Sequence, residues 1–147
     1  MIDINARSQL AQAARALATG RITNNEFEAR VPRSADPAVD EIYQRGLWPL
    51  YDDLVEHRLS GARKLDPDSR RFAARCIVFL KSDLPYSWPT YPPLRLLLAN
   101  LFTLGIAGYL FRRKQLRAGD TSAWPFISQA EYRAALRSPS YLRARGP

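Results

Sequence analysis

Residues able to do chemistry are sparse in this chain, and one pair alone has suggestive spacing. His57 is the only histidine, and Asp53 precedes it by four residues. On a helix that spacing puts both on one face, where a carboxylate orients an imidazole and raises its basicity, half of an acid–base dyad. Asp52, Glu56 and Tyr51 flank the pair. The sequence offers no identifiable nucleophile, oxyanion donor or glycine-rich phosphate loop to complete a site. A surface helix pair, contributing roughly a few tenths of a kcal/mol, accounts for the spacing equally well. A di-iron bundle site needs two Glu-x-x-His units, and one histidine with one distant cysteine makes no zinc site. The reading is therefore no metal, no cofactor and no assigned catalytic residue, with Asp53/His57 as the residual enzyme candidate.

Cys76, the only cysteine, lies among Ala73, Ala74, Ile77 and Val78, the setting of a buried inert thiol. A lone cysteine closes no intramolecular disulfide and suits a reducing compartment. Met1 to Asn5 shows no cationic segment leading into an apolar stretch, so no secretory signal is read there. The expected location is cytoplasmic, with membrane association as the alternative.

Recognition chemistry is better represented. The 147 residues include 22 Lys+Arg and 14 Asp+Glu, for a net charge of +8. Residues 1–60 hold seven basic and nine acidic groups, whereas residues 61–147 hold fifteen and five. Such asymmetry favours an anionic partner: an acidic protein, a lipid head group or nucleic acid. Arg70, Arg71 and Arg75 start one expected helix, and Arg112, Arg113 and Arg117 end another. An antiparallel pairing of the two would gather them on one face. No recognition-helix signature accompanies them, so sequence-specific DNA reading is not implied. A second surface is the proline-rich aromatic loop with Tyr86, Trp88 and Tyr91, because exposed aromatic loops serve recognition. All three tryptophans precede proline, which pushes each toward extended geometry at a helix boundary.

The third feature is the uncharged run Leu96 to Phe111, preceded by Arg95 and followed by Arg112, Arg113, Lys114 and Arg117. Its 16 residues span about 24 Å as a helix, short of a hydrocarbon core of about 30 Å. It reads first as a central buried helix, Leu94 to about Leu116, with Leu97, Leu98, Leu101, Phe102 and Leu104 in the core. The alternative is an interfacial anchor with its basic end toward the cytoplasm. Gly105 and Gly108 would allow close helix packing.

Helical punctuation runs through the rest. Leu10, Ala13, Ala14 and Leu17 recur at helical spacing before Gly20. Thr23 to Glu26 and Ser128 to Glu131 fit capping boxes. Asp36-Pro37 and Asp66-Pro67 read as N-caps with proline at the first helical position. Leu50, Tyr51 and Leu54 predict a helix through about Leu59. Strand alternation is absent. The expected fold is an all-α, single-domain bundle of six or seven helices: an N-terminal hairpin over residues 1–31, a helical core over 36–137 and a flexible tail over 138–147.

The stretch Leu17 to Glu28, with its G-x-I-T-N-x-E-F-E turn between two helices, resembles a leader of small uncharacterised bacterial proteins. It is also loosely similar to the short helical SHOCT-type segment. Leu50-Tyr51-Asp52-Asp53-Leu54, Phe79 to Asp83 and Trp124-Pro125-Phe126 add to the first likeness. The resemblance implies a bacterial family but no active site. The leading expectation is a non-enzymatic interaction or regulatory module, with another protein as partner, acting through the basic half or the aromatic loop. The alternative is peripheral membrane association through the apolar run and its arginines.

Overall fold

In the computed structural model of the chain, residues 1–90, 101 and 105–137 are described. The fold is all-α. Among the described residues, the α-helices are α1 (Ile4–Ala18), α2 (Asn24–Glu28), α3 (Pro37–Glu41), α4 (Pro67–Leu80), α5 (Ile106–Ala118) and α6 (Gln129–Arg137). A π-helical turn, Ile42–Leu47, continues α3, and short 3-10 turns lie at Trp48–Leu50, Gly61–Arg63 and Thr121–Ala123.

Local sequence dictates most helix starts. Thr23 and Glu26 form a reciprocal capping box, satisfying two backbone donors at the start of α2. Asp36 caps α3 and Asp66 caps α4, each followed by proline where the missing N–H costs nothing. At α6 the Ser128 hydroxyl accepts from Glu131 N, while the Glu131 carboxylate accepts from Ile127 N. Gly20 ends α1 at φ +69°, and a Cβ there would lie 2.9 Å from the Leu59 carbonyl oxygen. Only glycine suits both the left-handed turn and that approach.

The core lies between α1 and α4. Leu10, Ala14 and Leu17 of α1 are buried with Cys76, Phe79 and Leu80 of α4; the π turn and α6 close around α4, while α3 packs against α1. The residue that locks this arrangement is charged. Arg7 is 1% exposed and lies on the same stripe as Leu10, Ala14 and Leu17. Its Nε and Nη2 grip Asp36 at 2.6 and 3.1 Å, and Nη1 donates to the carbonyls of Leu84 at 2.7 Å and Ser82 at 3.3 Å. The guanidinium also covers the Phe79 ring. Asp36 accepts further from the backbone of Asp3 and Ala38, while Asp3 caps α1. Every polar end of the buried pair is thus matched, as a dehydrated charge requires.

Three expectations change. Residues 51–60 form no helix; they make an irregular loop with an isolated bridge between Thr23 and Arg58. The helix expected from 94 to 116 is not one continuous element. Gly105 is left-handed at φ +89°, which an α-helix cannot contain, and α5 starts after it. Leu101, expected in the core, is 74% exposed. Leu97, Leu98, Phe102 and Leu104, and the tail over 138–147, lie outside the described residues.

Arg7→Ala should cost about 3–5 kcal/mol, the usual penalty for orphaning one member of a buried pair, read as a lowered urea midpoint at pH 7. Burial opposes charging Asp36, but the Arg7 bonds and the Asp3 and Ala38 amides outweigh it and hold the carboxyl below its ordinary 3.8. Backbone and Ser34 hydrogen bonds lower Asp3 likewise. Depressed folded values stabilise above the ordinary aspartate range and lose that contribution as pH falls through the lowered values. Stability from this cluster should therefore be full above about pH 4 and decline below it, and Arg7→Ala should flatten the decline.

Candidate functional site

The acid–base pair is not assembled. Asp53 is exposed on the 51–60 loop, and the His57 ring places Nδ1 2.7 Å from the Val55 carbonyl oxygen rather than against a carboxylate. The loop is organised by a different side chain. Asn24 is fully buried; its amide nitrogen donates to Asp52 O and Val55 O at 3.1 and 3.2 Å, and its amide oxygen accepts from His57 N at 2.8 Å. His57 contributes its backbone to this clamp, so its side chain is dispensable to it. Among the described residues, no three His, Cys, Asp or Glu are grouped to hold a metal.

Tyr86 and Trp88 of the aromatic loop point inward, which corrects their reading as a docking surface. Trp88 is buried and its Nε1 donates to Pro125 O at 2.9 Å. Tyr86 is half-buried, packs edge-on to Phe79, and its hydroxyl accepts from Trp124 Nε1 at 3.1 Å. Trp124 in turn stacks on Phe72. Indole N–H groups removed from water need acceptors, and this pairing supplies them. Tyr91 lies outside the described residues. Cys76 behind this layer is buried, and burial pushes its thiol up to about 12, so it is not a reactive nucleophile at neutral pH.

One buried carboxylate stands out beside the Trp124–Tyr86 pair. Glu41, at the junction of α3 and the π turn, is 8% exposed. Arg45 Nε comes within 3.0 Å of its Oε2, but without hydrogen-bond alignment, and Oε2 has no hydrogen-bond partner. Burial raises the Glu41 pKa above its ordinary 4.5, with Arg45 opposing the shift. The Arg45 guanidinium continues outward over the Phe111 ring of α5 at 5.6 Å. Glu41 is thus the inner end of a chain of contacts that seats α5.

The basic residues do not behave as one set. Arg70 and Arg71 are exposed, and Arg71 pairs with Asp68. Arg75 is half-buried against Phe72, with an unbonded buried Nε. The principal packing partners of α4 are α1, the π turn and α6, so the expected α4–α5 pair is not a main contact of the fold. Arg112, Arg113 and Arg117 are all exposed on α5.

α5 is the unusual surface. Its less exposed positions, Ala107, Phe111, Gln115 and Ala118 with Gly108, recur at helical spacing and form the face toward the body. The opposite face is apolar at its start and cationic at its end. Ile106 is 61% exposed, Tyr109 66%, Leu110 55% and Leu116 60%. Large exposed apolar residues scattered singly are ordinary, but a contiguous group on one helix marks a contact surface. Among the described residues, no helix is long and apolar enough to cross a membrane. No protein-family model matches the chain, and no curated protein or solved structure matches it either.

Sequence reasoning missed Arg7, Asn24 and Glu41. A cation on the Leu10–Leu17 stripe was the available signal for Arg7; Asn24 and Glu41 gave none, since their roles depend on distant chain.

Two substitutions separate clamp from ring. Asn24→Ala, which strips three loop groups of their partner, should cost about 1–3 kcal/mol, whereas His57→Ala should stay within about 0.5 kcal/mol, both by chemical denaturation. Glu41→Gln tests the buried charge. A carboxyl whose folded value is raised destabilises once pH exceeds that value, and has no effect below its unfolded value. The variant should therefore equal or exceed the wild-type melting temperature at pH 7, with the difference vanishing below about pH 4.5.

Proposed function

We propose that the chain is a non-enzymatic module that attaches peripherally to an anionic membrane surface, on the cytoplasmic side, through α5. The observation that carries this reading is the exposure of Ile106, Tyr109, Leu110 and Leu116 on a helix that also exposes Arg112, Arg113 and Arg117. Charge supports the choice of partner. No Asp or Glu occurs between Asp83 and Asp120, so nothing in that sequence offsets its basic groups. The segregation is along the helix axis, apolar first and cationic last. That suits an apolar end entering the acyl boundary while the arginines remain among head groups.

Magnitudes favour lipid over nucleic acid. Basic residues near an anionic leaflet contribute about 1 kcal/mol each, and phosphates of either partner would satisfy them. Only lipid also rewards the exposed apolar side chains, at about 1.5–3 kcal/mol for each one fully buried. Neither contribution alone gives stable attachment, which takes two signals.

The full chain should cosediment with vesicles of phosphatidylcholine and phosphatidylglycerol at low salt, and poorly with phosphatidylcholine alone. Binding should fall as salt rises, through screening of the cations. Ile106→Glu/Leu110→Glu and Arg112→Glu/Arg113→Glu should each weaken it at least about tenfold. Absence of vesicle binding, or binding by both variants as tight as that of the wild type, would overturn the reading. Tight binding to duplex DNA with none to vesicles would replace it with a nucleic-acid one.

A further inference from the structure

A separate feature lies on the outer seam of α1 and α4, where a groove of about 400 Å³ opens to solvent. That volume falls in the range of small-ligand sites, about 300–1,000 Å³. Its apolar lining is Ala18, Ala74, Ile77 and Val78, and its cations are Arg15, Arg70 and Lys81. Arg70, Ala74, Ile77 and Lys81 are spaced by four, three and four residues, so they form one stripe along α4. Eleven residues separate the two cations of that stripe, about 16 Å of helix. Arg15 adds a third charge from the last turn of α1. None of the ion pairs among the described residues involves Arg15, Arg70 or Lys81.

We infer that this groove binds a single-chain amphipathic anion of the fatty-acid type. The alkyl chain lies along Ala18, Ala74, Ile77 and Val78, and the carboxylate pairs with the cationic side chains at one end of that floor. The dimensions decide the occupant. A folded partner needs a buried area above about 1,000 Å² for stable docking, and four apolar side chains, two of them alanine, cannot supply such a patch. One alkyl chain needs only a narrow floor. Its head needs positive charge that is not already neutralised, which this groove provides at both ends of α4 and from α1. The inference does not depend on α5 or on membrane attachment.

Decanoate, kept below its micelle concentration, is the probe. Titrated into the isotopically labelled full chain, it should bind saturably at one site. Shifts should centre on the methyl groups of Ala18, Ala74, Ile77 and Val78. Arg70→Glu/Lys81→Glu should raise the Kd at least tenfold, and Ala74→Trp, which fills an exposed part of the floor, should weaken binding comparably. Thermal melts would establish that both variants are folded. Acetate and decanol should each bind far more weakly, because each lacks half of the recognised chemistry. The Ile106→Glu/Leu110→Glu variant should bind decanoate as the wild type does, even where vesicle binding is lost. The inference is overturned by non-saturating shifts, by an unchanged Kd in the folded charge-reversed variant, or by acetate or decanol binding as tightly as decanoate.

Discussion

The structure depends on one buried ion pair, Arg7–Asp36. Five donors converge on or leave it: the guanidinium bridges the α3 cap to the carbonyls of Ser82 and Leu84, while Asp36 also receives the amides of Asp3 and Ala38. Three chain segments far apart in sequence are thereby fixed at one point. These are the start of α1, the start of α3 and the exit of α4. A hydrophobic residue at position 7 would bury comfortably, yet it would leave the carbonyls after α4 without donors. The arrangement trades desolvation for register, since bidentate geometry admits one relative placement of the helices.

From that point outward, polar requirements fix the layers in turn. The exit of α4 held by Arg7 sends residues 84–88 back over the core, where Tyr86 and Trp88 satisfy and are satisfied by the Trp124–Phe126 turn. Glu41 lies beside this layer at the π turn, a helical irregularity that recurs at functional sites in proteins generally. Its neighbour Arg45 reaches the Phe111 ring. α5 therefore rests on the body through a narrow face, and its opposite face meets no part of the described chain closely enough to be buried. An exposed apolar and cationic helix on a well-tied body is the physical basis of the attachment proposal.

What the sequence made legible is local. The caps at Thr23, Asp36 and Asp66 are each decided within four residues, and each forms as its motif requires. Cys76 is buried as its apolar neighbours imply. The failures are tertiary. Leu50, Tyr51 and Leu54 mimic helical spacing, but the Asn24 side chain offers the 51–60 backbone an alternative set of partners, and the helix is lost. Apolar character alone made the run before Phe111 read as core. The structure breaks at Gly105 and leaves Leu101, Ile106 and Leu110 in the open. Composition identifies side chains that avoid water; it does not say whether this chain or a partner covers them. The aromatic loop fails in the opposite sense at two of its positions: Trp88 and Tyr86 are consumed internally because their own polar atoms found partners.

Hydrogen–deuterium exchange of the full chain, with and without vesicles containing phosphatidylglycerol, addresses the central claim directly. The account predicts new protection confined to Ile106–Ala118 and the sequence just before it, with α1 and α4 unchanged. Protection spread over α1 and α4, or none anywhere at vesicle concentrations that capture the protein, would contradict it.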